Sequence, residues 1–263
     1  MPNAGGPQGR RVPTFDVSQT ARSFRPMNDL FPIIFEDETL LVINKPAGLV
    51  CHPTKGDEYS SLVGRIRLYL GKGGSLINRL DRETSGVVVV GKTPEAAGRL
   101  GKLWQAGGVR KTYLALVHGE PDDDHGRIET GLGKDLTSEV FIKDCVRKDG
   151  AWATTDYRVL QRFVRNEKQF SLLELSPLTG RKHQIRIHLG HIGHPILGDK
   201  IYGGNEKFYL DFIKNQLTPE QKEQLVLTNH GLHAREVRFP WCGQEQVFSA
   251  APGREFSDFI PTI

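Results

Sequence analysis

Four consecutive valines, Val87 to Val90, followed by Gly91 and Lys92, constrain this chain more than any other stretch. Successive side chains of a strand point to opposite faces, so a strand with one wet face alternates apolar and polar residues. A run that is β-branched at every position has to be covered on both faces. Residues 87–92 therefore predict a strand in the middle of a sheet, with packing layers above and below it.

The neighbouring segments supply those layers. "TPEAAGRLGKLWQAG" offers Thr93 as an N-cap, Pro94 at the first helical position and a stripe of Leu100, Leu103 and Trp104, which predicts a helix. Residues 62–70 predict another, with Leu62, Ile66 and Leu70 on one face. Strands are expected at 39–46, 111–119 and 170–180, the last running into a turn. "RKHQIRIHLGHIGHPILGD" predicts a helix carrying Ile185, Leu189 and Ile192 until Gly193 and Pro195 end it. "HGLHAREVRF" and "EQVFSAAP" read as closing strands. Strands and helices mix without a regular βαβ repeat, so the fold class is α+β. Residues 1–28, rich in Gly, Pro and Arg, predict a flexible N-terminal arm, which leaves 29–263 as one domain.

No stretch is apolar for long enough to span a bilayer, and the N-terminus lacks the apolar core of a secretory signal. Cys51, Cys145 and Cys242 form no C-x-x-C pair, which argues against a disulfide framework or zinc ribbon and for a reducing, cytoplasmic location. The net charge of +4 is modest, but residues 78–119 hold seven Lys/Arg against three acids, a concentration suited to an anionic partner.

Within that segment, "INRLDRETSGVVVV" sets Asp81 between Arg79 and Arg82 just before the buried strand. Flanking cations are expected to hold the carboxylate ionised, as a nucleophile or general base requires, whereas the bland alternative is a surface ion pair. Thr84, Ser85 and Gly86 add short hydroxyls and a permissive backbone for a tight loop. Further on, Arg181, Lys182 and His183 are expected in the first turn of their helix, where cations are disfavoured unless an anion lies across the helix end. The four histidines at 183, 188, 191 and 194 invite a metal, but His183 and His188 would sit about 140° apart around a helix and no H-E-x-x-H is present. No metal is expected. Tyr113 is a core aromatic or a platform for a nucleobase.

"NRLDRETSG" resembles the HRLD-x-x-TSG motif of the RluA-type pseudouridine synthases. "INKPAGLVCHP", "KTYLALVHG" and "LTGRKHQIRIHLGHIGHPILGDKIYG" resemble the family's other motifs, in the same order, over roughly residues 33–250. The resemblance implies a mixed, mostly antiparallel central sheet with flanking helices and loops, and an isomerase that turns uridine into pseudouridine in ribosomal or transfer RNA without a cofactor. It implies Asp81 as the catalytic aspartate, Arg186 as its basic partner, Tyr113 packing on the target base and Arg79 filling the space a flipped nucleotide leaves. Arg181 is expected to contact the RNA backbone. The partner would be an RNA stem-loop, the protein a monomer, and no S4-type domain is expected ahead of residue 33. Asn78 stands where the family has His. A catalytically silent RNA-binding module and a metal-dependent hydrolase are the competing classes.

Overall fold

The computed structural model describes residues 30–53, 58–71 and 73–261. The expected arm at 1–28 lies outside the described residues. In chain order the elements are β1 (Ile33–Glu36), β2 (Leu40–Lys45), α1 (Leu62–Leu70), β3 (Ser75–Leu76), β4 (Ser85–Gly91), α2 (Pro94–Gln105), β5 (Arg110–His118), β6 (His125–Lys134), β7 (Asp144–Val146), β8 (Ala151–Arg165), β9 (Lys168–Pro177), α3 (Gln184–His191), α4 (Lys207–Ile213), α5 (Pro219–Leu225), β10 (Leu232–Trp241), β11 (Gln244–Ser249) and α6 (Arg254–Ser257).

Among the described residues the strands join in one sheet, ordered β1-β2-β4-β10-β5-β9-β8-β6-β7, with β3 added to β4 and β11 to β10. Pairing is antiparallel except between β4 and β10, so the sheet is mixed and mostly antiparallel, and the α+β expectation holds. The valines of β4 lie between β2 and β10 and divide by parity. Val88 and Val90 pack with Leu62 and Ile66 of α1, while Val87 and Val89 pack with Ala96 and Leu100 of α2. The strand is central because both of its faces are claimed. β5 alternates in the same way, with Leu114 and Leu116 on one face and Ala115 and Val117 on the other, the latter covered by Ile185 and Leu189 of α3.

β10 is the seam between the two halves of the sheet. Its Ala234 pairs with Gly86 on one side and with Tyr113 on the other, which sets the entrance to β4 two strands from the start of β5. Gly86 has φ +117°, and a Cβ there would stand 2.2 Å from the Ala234 carbonyl oxygen, so only glycine permits this approach. The expected permissive backbone is used here.

The α2 cap forms as expected, with Thr93 accepting from Ala96 N. The expected start of α3 does not. The helix begins at Gln184, and Arg181, Lys182 and His183 form the turn before it, His183 having a left-handed φ of 55°. Gln184 accounts for the delay: its Oε1 accepts from Thr179 Oγ1 and Arg181 N, and its Nε2 donates to Thr154 O and Thr155 Oγ1. A buried amide with both ends satisfied pins the turn to β8 and fixes where the helix can start. β1, β3, β6, β7, β8, α4, α5 and α6 carry no sequence expectation.

Candidate active site

Asp81 lies in the turn that leads into β4, and three sets of contacts hold that turn. Thr84 N donates to Asp81 O at 3.2 Å, closing it. Lys45 at the end of β2, fully buried, donates from Nζ to Pro46 O, Leu49 O and Arg82 O at 2.8, 2.8 and 3.1 Å, so one ammonium uses its three protons to tie residues 46–49 to the Asp81 turn. Burial lowers its pKa to about 8. Asn78 makes a strand-like pair with β4 through its side chain, Nδ2 donating to Val87 O and Oδ1 accepting from Val89 N. Ser85 Oγ and His233 Nδ1 share a 2.8 Å bond, whereas the buried Thr84 hydroxyl has no partner among the described residues and lines the cleft. Of the two expected loop-fixing hydroxyls, only that of Ser85 makes such a bond.

The Asp81 carboxylate, with 31% of its side chain exposed, accepts from Arg186 Nη1 at 2.7 Å. Arg186, buried on α3, is held from behind by Asp199 in a bidentate pair at 2.6 and 2.9 Å. Asp199 Oδ1 also accepts from Ile201 N and Tyr202 N. Burial, the largest single influence, pushes the Asp81 carboxyl up; the charge and hydrogen bond of Arg186, with His183 and His230 adding to them, together outweigh it and hold the group below the usual carboxylate range. The same opposition holds Asp199 far below that range. Glu83, next to Asp199 through His230, is paired with Lys200 at 2.9 Å and with His230 at 3.0 Å. A chain of titratable groups, buried beyond Asp81, thus runs from Asp81 through Arg186 and Asp199 to His230, Glu83 and Lys200.

The expectation that Arg79 and Arg82 hold Asp81 ionised is therefore corrected. The Arg82 guanidinium donates to Gly48 O at 3.3 Å and lies over the Phe212 ring, and Arg79 is exposed along the cleft with no side-chain hydrogen bond or ion pair among the described residues. A turn that enters a strand sends neighbouring side chains in different directions, so sequence adjacency to Asp81 is not contact with it.

Tyr113 shares with Asp81 a cleft that Arg79, Thr84, Lys111, Arg181, His183 and Arg186 also line. Its ring packs against the cores of both sheet halves and lines the cleft. Burial, with the nearby Asp81 charge, raises its pKa to about 12, which keeps the phenol protonated. His183 Nε2 stands 3.8 Å from Asp81 Oδ2, and its Nδ1 shares a 2.9 Å bond with the Tyr202 hydroxyl. Burial and Arg186 lower its pKa to about 4, so the ring is neutral at pH 7. Arg181 is exposed and donates from Nε to Trp152 O, while Lys182 pairs with Asp144 at 2.9 Å and is a weaker candidate for an RNA phosphate than the sequence suggested.

The histidines are divided among separate partners: His188 bonds Thr155 Oγ1, His194 bonds His118 O, and His183 bonds Tyr202. Among the described residues no cluster of three or more His, Cys, Asp or Glu is placed to hold a metal ion, and no helix is long and apolar enough to cross a membrane. Asp199, Lys200, His230 and Glu83 carried no role in the sequence reading. A usable signal was present, since "PILGDKIYG" puts an acid and a base side by side in an apolar run, as buried paired charges require.

Comparison with known proteins adds to this geometry. A family model described as RNA pseudouridylate synthase matches residues 39–191. An uncharacterized RNA pseudouridine synthase of Aquifex aeolicus is 36% identical over 92% of this chain and 75% of its own length. Ribosomal large subunit pseudouridine synthase D of Nitrosomonas europaea is 39% identical over 81% of this chain and 59% of its own length. Among solved structures, human RNA pseudouridylate synthase domain containing 4 superposes with a TM-score of 0.66 at 26% identity, covering 86% of this chain and 90% of that one.

Proposed function

The chain belongs to the RNA pseudouridylate synthase family and is an RluA-type isomerase acting on RNA, and on that premise we propose that Asp81 is the carboxylate that carries the isomerisation. The reaction breaks the N1–C1′ bond of a uridine, turns the uracil, and joins it again through C5, with the C5 proton leaving and N1 gaining one. Atoms and electrons balance within the nucleotide, so the chemistry needs no cofactor. A nucleophile or a base at this point has to be an ionised oxygen. The observation that carries the reading is Arg186 Nη1 at 2.7 Å from an Asp81 carboxylate that is still partly open to the cleft.

The other roles follow from position. Tyr113 stacks on the extruded uracil. Arg79 and Arg181, exposed on the rim, grip the RNA backbone, and Arg79 occupies the space the uridine vacates. Extruding a base costs a few kcal/mol of lost stacking, least in a loop, so the substrate is a stem-loop of ribosomal or transfer RNA. The name of the Nitrosomonas relative favours the ribosomal one. Residues 29–263 act as one catalytic domain and as a monomer, in the cytoplasm, which suits three unpaired cysteines.

Asp81→Asn tests the reading. An amide keeps the shape and cannot ionise, so pseudouridine formation should fall by roughly a hundred- to ten-thousand-fold or more while RNA affinity stays close to the parent. Substantial turnover by the purified variant would remove Asp81 from the chemistry, and loss of RNA binding from the parent as well would favour neither this reading nor a silent binding module.

A further inference from the structure

Asp81, His183 and Arg186 also line a second cavity that Tyr113 does not enter. Ile142, between β6 and β7, and Tyr209, Phe212 and Ile213 of α4 give it apolar surface, and Arg82, Glu83, Lys200 and His230 line it as well. Ile142 and Ile213 are 38% and 54% exposed, so apolar surface is left standing beside the proposed reacting carboxylate. The Phe212 ring has two cations over it, Arg82 Cζ at 5.4 Å and Lys200 Nζ at 4.7 Å from its centroid. Among the described residues the Tyr209 hydroxyl makes no hydrogen bond, which leaves a donor at the wall.

Aromatic and aliphatic walls, an arginine at the mouth and an open hydroxyl are the chemistry that receives an unstacked nucleobase: rings and isoleucines for its faces, a donor for its edge, a cation for its phosphate. A cavity that shares Asp81, His183 and Arg186 with the site of the target uridine is within reach of a nucleotide next to it. We propose that this cavity is a second nucleotide subsite, which takes the base adjoining the target uridine between Ile142, Ile213 and the Tyr209 and Phe212 rings, with Arg82 at its phosphate. The proposal rests on the reading that places the target uridine at Asp81 and Tyr113. It makes α4 and the β6–β7 connection the elements that select sequence context.

Synthetic RNA stem-loops copied from ribosomal and transfer RNA test it, each made intact and with the base on one or the other side of the target uridine removed. In the parent protein, loss of one of these two bases should lower kcat/KM for pseudouridine formation about tenfold or more, the size of one stacking contact. In Ile142→Ala/Ile213→Ala that ratio between intact and abasic RNA should fall toward one. Ile213→Trp, which fills the cavity, should slow the intact RNA more than the abasic one. Both isoleucines are exposed, and thermal melts near that of the parent establish that the variants fold. An unchanged ratio in the variants, or a parent indifferent to both flanking bases, overturns the subsite and leaves Asp81 in place. The Asp81 reading is tested apart from it by Asp81→Asn on the same intact RNA: turnover near that of the parent overturns that reading, and the subsite that rests on it.

Discussion

Two arginines attend the Asp81 turn under opposite conditions. Arg186 has a side chain only 4% exposed, and its nitrogens are divided between Asp81 and Asp199. Arg79 is two residues from Asp81 in sequence, exposed, and unpaired among the described residues. The difference separates two jobs that the charge pattern merged. A buried cation among carboxylates sets the state of a reacting group, because low dielectric and fixed geometry make its field persist. An exposed cation whose partner is missing is suited to a ligand that brings the partner charge with it.

Removing each arginine should expose that contrast. Arg186→Met leaves Asp199 buried without its counter-charge, which costs about 3–5 kcal/mol of stability, and takes from Asp81 the strongest of the influences that oppose burial, which raises its pKa. The melting temperature should drop by many degrees and turnover should collapse. Adding Asp199→Asn should restore much of the stability, since the stranded charge is gone, without restoring turnover. Urea unfolding of the single and double variants checks this; equal stability in Arg186→Met and the parent would mean the buried chain of charges holds nothing.

Tyr113 stands between the two conditions, half in the core and half in the cleft. Its hydroxyl makes no hydrogen bond among the described residues, so Tyr113→Phe should melt with the parent and bind RNA within about twofold, any fall in turnover reporting on the oxygen. Tyr113→Leu keeps apolar volume and loses the π face, and should weaken RNA binding by about 1–3 kcal/mol. Equal affinity in Tyr113→Leu would return the ring to the core alone.

The smallest effect belongs to the open side. Arg79→Ala/Arg181→Ala should leave the melt within about 0.5 kcal/mol of the parent, as surface substitutions do. Its RNA affinity should fall at moderate salt, and the slope of log affinity against log salt should flatten by roughly 0.7–0.9 for each lost phosphate contact. An unchanged slope, read by filter binding across a salt series, would show that these arginines do not meet phosphate.

What was legible in the sequence follows the range of the interaction that determines it. The burial of β4 and the α2 cap depend on residues a few positions apart, and both were visible in "VVVV" and in Thr93-Pro94. The start of α3 depended on Gln184 reaching Thr154 across the sheet, 30 residues away, and propensity placed it a turn too early. The partners of Asp81 were misread from local pattern for the same reason. Arg186 is 105 residues from Asp81, and Glu83 is 117 from Lys200, so no spacing rule joins them. Only the resemblance to a family pointed to Arg186, and nothing in the local pattern pointed to His230. β6 and β8 carry no clear core pattern because few of their apolar side chains are buried: Ile128, Leu132, Ala153 and Phe163 go inside, whereas Trp152, Leu160 and Val164 stand in water.

The claim that the buried side fixes the charge of Asp81 is open to direct measurement. In protein labelled with ¹³C at aspartate carboxyl carbons, the resonance missing from Asp81→Asn identifies the group, and its shift can be followed as pH falls. A carboxyl held low by Arg186 stays ionised through the ordinary aspartate range and protonates only below it, so the resonance should remain at its carboxylate position while exposed aspartates titrate. Titration of Asp81 at or above the usual aspartate value of about 3.9 would contradict the account, because burial would then have prevailed over the arginine.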